Sequence, residues 1–237
     1  MHSADSTAAS ITLIVGTGGI AQALCDRLRA LEPQSTILQL GRSTHPRLDY
    51  NDENTLQAAA HWVATQCDHR PLRRIIVATG FLHDSGAGPE RTWAHLDAAY
   101  LQQVFLVNAI GPALVIKHFL PLLAKQGRVE AAFLSAKVGS IGDNALGGWY
   151  GYRAAKAALN QLVKSASIEL TRKNKESICI ALHPGTVDTA LSAPFAKTGL
   201  NVRPAAEAAA DLIAVINGLT ATDTGRLWDY KGGVIEW

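Results

Sequence analysis

The segment YRAAK sets Tyr152 and Lys156 four residues apart in an alanine- and leucine-rich stretch that reads as a helix. On a helix, positions i and i+4 share a face, so the phenol and the ammonium stand one turn apart. A free tyrosine ionises at pH ~10 and is a poor proton carrier at neutral pH. A neighbouring ammonium favours the phenolate and lowers that value. Such a pair suits proton transfer to a carbonyl oxygen, or from an alcohol, while hydride moves at the adjacent carbon. Alone, YxxxK carries little weight, because a packed ring beside a solvated lysine gives the same pattern.

A second pattern upstream supplies a hydride carrier. The apolar run ITLIV leads directly into GTGGIA, where Gly16, Gly18 and Ala21 satisfy G-x-G-x-x-G/A. The first glycine permits a tight turn, the second lets the backbone approach a pyrophosphate, and the small third residue lets helix and strand pack closely. Gly19 and Ile20 open the following helix, whose free N–H groups face the phosphates. At the end of the second apolar run, LQLGRS, Gly41 stands where an NAD site has its ribose-binding acid, and Arg42 follows. A guanidinium there pairs with a 2′-phosphate, and Ser43 or Thr44 can add a hydroxyl. The reading is NADP(H) preferred with NAD(H) possible; the bland alternative is a solvated Arg42 and an enzyme that accepts either.

These groups need a scaffold. Apolar, β-branched runs at 11–15, 36–40, 47–50, 74–79, 129–135, 177–183 and 226–230 alternate with helical patterns at 19–31, 53–66, 92–125 (read as two helices), 150–173 and 204–218. Near-continuous apolar strands imply a sheet buried on both faces, hence parallel. The alternation predicts an α/β doubly wound fold, a single-domain Rossmann sheet of about seven strands flanked by helices. With no repeat or composition shift, residues 1–237 read as one domain with a frayed start at 1–9. DSGAGPE, 84–90, reads as a surface turn.

Composition excludes several classes. The chain has 237 residues, 48% hydrophobic and 18% charged, with a formal net charge of +2. No charge run asks for nucleic acid or a membrane surface. Cys25, Cys67 and Cys179 are far apart and the histidines lack ligand spacing, so no metal site is expected. The N-terminus lacks the regions of a signal peptide, and no apolar stretch reads as a bilayer span of ~20 residues. The expectation is a cytoplasmic protein.

With these motifs in hand, the chain resembles the short-chain dehydrogenase/reductase family over about residues 11–237, and within it the C-factor and sniffer-like, carbonyl-reductase-related branch. The branch resemblance rests on FLHDSGAGPE, SAKVGSIGDN, GGWYGYRAAKAALN and the WDYKGG tail. The resemblance implies catalytic roles for Tyr152, Lys156 and Asn108, the last in VNAIGP, where it holds a water that links to the lysine. It implies that Pro184, Gly185, Val187 and Thr189 of HPGTVDT face the nicotinamide, that Asp49 contacts adenine, and that Ala78 and Gly80 of ATG line the adenine ribose. It also implies a serine that polarises the carbonyl. The family's usual position is Gly139 here, and the second place of the common SS pair is Ala136. Ser135 is the preferred candidate and Ser140 the alternative.

Other residues stay open. His183 reads as a strand-end histidine satisfied by backbone, Lys137 as pocket or solvent, and Trp149 as a wall or a brace. The segment after Thr189, with Leu191, Phe195 and Leu200, stands where the family has its substrate lid and suggests a small or flat apolar carbonyl. The alanine-rich side of 150–173 suggests a homo-oligomer, dimer or tetramer. Two functions follow: an NADPH-dependent reductase of ketones or aldehydes, or a dinucleotide-binding regulatory protein with vestigial chemistry.

Overall fold

A computed structural model describes residues 9–67, 70–84, 88–195 and 202–237, with the backbone alone at Phe195. Residues 1–8, where a frayed start is expected, and Leu200 of the lid segment lie outside these.

The first apolar run forms β1, Ile11–Val15, buried along its whole length. It is central because the chain leaves it on both sides. β2, Thr36–Leu40, pairs with one edge and β3, Leu72–Val77, with the other, both parallel. The sheet continues through β4 (Val129–Leu134), β5 (Ser177–His183), β8 (Leu227–Asp229) and β9 (Val234–Ile235), in the order β2-β1-β3-β4-β5-β8-β9. The reversal of direction at β1 opens a crevice at the strands' C-terminal ends, where such sheets bind ligands. A separate two-stranded pair, β6 (Thr186–Val187) and β7 (Val202–Arg203), stands above β5.

Alternate strand residues feed two layers. Ile14, Ile76 and Ile180 pack with α1 (Gly19–Leu31) and α6 (Ala205–Gly218). Leu13, Ile75 and Ala131 pack with α2 (Glu53–Gln66), α4 (Gly111–Phe119) and α5 (Tyr150–Lys173). The seven-stranded sheet agrees with expectation in number but not in membership. RLDY, 47–50, makes only isolated bridges, Gly41 to Arg47 and Asp49 to Asp52. Local side chains take its backbone groups instead: the Asp49 N–H donates to Thr55 Oγ1 and Asp49 Oδ1 accepts the Asn51 N–H. The seventh strand is β9, antiparallel to β8.

The stretch read as two helices at 92–125 is, over Ala98–Leu122, one run: α3 (Ala98–Phe105), a π-helical turn (Leu106–Ile110), α4 and a final 3-10 turn. Pro112 has no N–H to give the Asn108 carbonyl four residues back, so the α pattern cannot pass through this turn. The Gly111 N–H reaches Leu106 O instead. This run is also long and apolar enough to cross a membrane, which corrects the expectation that no stretch is. Its apolar character has a local cause, because Val104, Val115 and Phe119 are fully buried inside the protein.

Candidate active site

The glycine loop sits at the crevice. Gly16 adopts φ +132°, and a side chain there would press on the Ala78 carbonyl group at 3.1 Å, so β1 can approach β3 this closely only with glycine. Ala78 continues the β3 ladder by donating its N–H to Val15 O. At Gly18 a Cβ would meet nothing within 4 Å, which leaves open space over the start of α1. The helix has neither a side-chain cap nor an acidic residue in its first turn. Open space over uncapped N–H groups fits a pyrophosphate. Gly19 lies against Thr189, whose methyl would be 3.2 Å from a Cβ. The glycine loop and the HPGTVDT segment, distant in sequence, therefore face one another.

Beyond β2, Thr44 is not free to add a donor. Its hydroxyl accepts the Gly41 N–H and donates to Gly41 O or Pro46 O, closing the loop on itself. That closure brings up Arg47, which the sequence reading missed. Arg47 bridges to Gly41 and forms an ion pair with Asp49. Arg42 is exposed and forms no ion pair among the described residues. Hydrogen bonds from the Asn51 side chain and N–H hold the Asp49 carboxyl below its usual range.

The π turn aims Asn108 inward. Its Nδ2 donates to Phe81 O at 2.7 Å and to Val104 O at 2.9 Å, and its Oδ1 accepts the Phe81 N–H at 3.2 Å. A Cβ on Gly80 would touch both Asn108 Oδ1 and Leu191. Tyr152 belongs to a buried cluster with Leu82, Tyr100, Val104 and Ala155, against which Phe81, Ala136, Val138, Trp149 and Leu191 pack. The Trp149 ring stands edge-on to Tyr152 at 6.2 Å, so it walls the site as well as opening α5.

Lys156 Nζ lies 5.7 Å from the Tyr152 ring centroid and donates to Leu134 O at 2.8 Å. The phenol is not lowered by this lysine as the sequence predicts. Burial, with Tyr100 adding to it, pushes Tyr152 above its ordinary value, and burial pushes Lys156 down to about 7. A low-dielectric surrounding penalises both charged forms, and here that outweighs their attraction.

The serine expectation meets a different geometry. Ser135 is 4% exposed and donates its hydroxyl to Asn160 Oδ1 on α5 at 2.6 Å. Asn160 in turn donates to Gly139 O at 3.3 Å. The Ser140 hydroxyl accepts the Asp143 N–H and is buried. The residues that reach the Tyr152 cluster from this loop are Ala136 and Val138. No sequence signal separates these positions, because the pairing partner lies 25 residues away.

On the far side of the cluster, Val187 is buried, its carbonyl accepts the Ser192 hydroxyl, and Gly185 at φ +78° packs on the Tyr230 ring. Pro184 is half-buried beside it. The expected backbone partner of His183 is not seen at Nδ1, which is buried with no hydrogen-bond partner among the described residues. Burial, reinforced by Lys137 and Lys156 and opposed by Asp229, lowers it to about 4. Lys137 pairs with Asp143 at 3.1 Å. Both line a cavity of about 490 Å³ with Asp229, Tyr230, Lys231 and Glu236. No group of three metal-ligating side chains occurs among the described residues.

Comparison with known proteins bears on the family and the fold. Residues 3–223 match the family described as enoyl-(acyl carrier protein) reductase. C-signal of Myxococcus xanthus is 34% identical over 156 residues, covering 65% of this chain and 90% of that protein. The 1-hydroxy-2-glutathionyl-2-methyl-3-butene dehydrogenase of Rhodococcus sp. (strain AD45) is 28% identical, covering 96% and 100%. The NADPH-bound carbonyl reductase from chicken fatty liver superposes with a TM-score of 0.84 at 22% identity, over 97% of this chain and 94% of that one, which shows the shared fold. Fold, motif placement and sequence together make this chain a member of the short-chain dehydrogenase/reductase family, on the branch to which C-signal belongs.

Proposed function

We propose that this protein is an oxidoreductase that uses NADP(H) in preference to NAD(H) to reduce a ketone or aldehyde, with Tyr152 as the proton donor. The observation that carries the reading is the phenol itself. Tyr152 is buried at the head of α5 in an apolar cluster, held protonated well past neutral pH, one turn from Lys156. A protonated phenol in a dry site is the form needed to protonate an oxyanion as it develops. When bound, the dinucleotide supplies the hydride. The open start of α1, the Gly19–Thr189 approach and the Val187 backbone would hold it, and Arg42 beside Arg47 would take a 2′-phosphate. Asn108 fixes Phe81 and so shapes the wall that excludes water. The relatives that carry dehydrogenase or carbonyl reductase names support this class of chemistry.

Cofactor titration with NADPH and NADH, followed by oxidation of the reduced nicotinamide with small diketones, quinones and aldehydes, tests the reading. NADPH-linked turnover that disappears in Tyr152→Phe supports it. Binding without turnover on any carbonyl favours a second reading, a dinucleotide-binding regulatory protein. That alternative draws on the Ser135 hydroxyl, which is committed to Asn160. Failure to bind either dinucleotide removes both. Two expectations accompany the first reading: a cytoplasmic location, and a homo-oligomer, dimer or tetramer, through the alanine-rich side of α5.

A further inference from the structure

We propose that Glu90 is a positioning residue for Tyr152, which its carboxylate sets in place by capping the first turn of α5 from outside the helix. This rests on the reading of Tyr152 as the proton donor. The segment that contains Glu90 was expected to be a surface turn, yet Glu90 is only 3% exposed. A buried carboxylate is costly unless strong donors meet it. Here both oxygens lie 3.2 Å from the Gly151 N–H, and the Glu90 carbonyl accepts the Trp149 N–H at 2.5 Å.

The helix needs this help. Trp149 at its N-cap lies in the left-handed region, φ 53°, and offers no side-chain cap, and the first turn holds no acid. Its free N–H groups and positive end are unanswered locally. The answer comes from 61 residues away. Gly151 makes room for it: a Cβ there would lie 3.0 Å from Glu90 Oε1 and 2.8 Å from Leu101. The residue next to this contact is Tyr152.

The contacts of residues 81–83 define the position that the capped turn must meet. Phe81 holds Asn108, Leu82 O accepts the Tyr100 hydroxyl at 2.8 Å, and a His83 ring nitrogen lies 3.1 Å from Ala190 O on the loop beyond β6. Residues 81–83 therefore touch the Asn108 turn, the Tyr100 hydroxyl and the loop that carries Leu191, while Glu90 holds the Tyr152 turn. Glu90 is the contact on α5. Loss of that contact lets the phenol drift from the position that the Asn108 and Leu191 sides define.

The test compares full-length wild type, Glu90→Gln and Glu90→Ala. Amide hydrogen exchange of residues 150–153 reads the cap directly and needs no turnover. NADPH affinity, kcat, KM and thermal midpoint are measured on the same samples. In Glu90→Ala, exchange of Gly151 accelerates and kcat falls about 10- to 100-fold, the scale of an ångström-level misplacement. NADPH affinity stays within about two-fold, because the dinucleotide contacts lie elsewhere. Glu90→Gln keeps one acceptor oxygen and restores most of kcat. Unchanged exchange, unchanged kcat in Glu90→Ala, or parallel loss of kcat and NADPH affinity explained by unfolding would overturn the assignment. If wild type itself turns over no carbonyl, the functional reading fails, while the exchange data still decide whether Glu90 holds the turn.

Discussion

The Ser135 hydroxyl and the Asn160 side-chain amide are hydrogen-bonded at 2.6 Å, and both are buried between the end of β4 and α5. This pair ties strand to helix, so Ser135→Ala should cost about 1–2 kcal/mol of stability by leaving the Asn160 oxygen unmet. The same change should alter kcat by less than about three-fold, well short of what removing a donor to the reacting oxygen costs. Ala136→Ser, which adds a hydroxyl on the Tyr152 side, should raise kcat/KM by about ten-fold or more. A large kcat loss in Ser135→Ala with no gain in Ala136→Ser would return the role to Ser135.

Lys156 sets a pH dependence of stability. Its folded pKa of about 7 lies below the unfolded value of 10.5. The unfolded chain therefore binds more protons between those values, and wild-type stability rises with pH across that window on this account. Below about pH 7 the cost is fully present, on the order of several kcal/mol. Lys156→Met, which keeps the stem, should raise the thermal midpoint at neutral pH and flatten its rise toward pH 10. Loss of the bond to Leu134 O offsets part of the gain. Chemical denaturation at three pH values checks this; a midpoint that falls equally at each would refute it.

His183 acts in the acid range. Its pKa is about 4 when folded against an ordinary value of 6.5. Stability should fall as pH drops from 6.5 toward 4, by about 3 kcal/mol, since the unfolded chain takes the proton first. His183→Asn should remove this part of the acid sensitivity while leaving the curve above pH 7 in place. The comparison needs only urea midpoints of the two proteins at pH 5 and pH 7.5.

The cations after β2 bear on cofactor choice. Arg42→Ala should weaken NADPH binding about ten-fold, and Arg42→Ala with Arg47→Ala by more, with NADH affinity nearly unchanged. Arg47→Ala alone also frees Asp49 from its ion pair, so its effect on NADH reports the adenine side separately. Equal weakening of both dinucleotides in Arg42→Ala would argue against a 2′-phosphate contact.

The elements that pack by local pattern were legible in the sequence. Helices at 19–31, 53–66 and 150–173 and the strand at 177–183 fall where periodicity places them. Gly16 and Gly19 could be read because their neighbours impose glycine. Glu90 and Asn160 could not, because each acquires its role from a partner brought near by the fold, and Arg47 could not, because its place follows from how the loop after β2 closes on Thr44. RLDY misled for the opposite reason: its residue types suit a strand, but Asp49 and Thr55 satisfy the backbone first. The phenol's environment was misjudged because spacing reveals the lysine and not the depth at which both groups lie.

The π turn at Leu106–Ile110 also says something about the history this helix can tolerate. A π turn holds one residue more than an α turn, so it is an insertion that the helix has absorbed without breaking. Because the wide turn takes up the extra residue locally, α3 and α4 keep the phase of one continuous helix, and Val115 and Phe119 still pack in the core layer against the sheet. Pro112, with no N–H to give, fixes where the wide turn sits. The turn therefore lets the asparagine face inward without disturbing the apolar stripe that follows it.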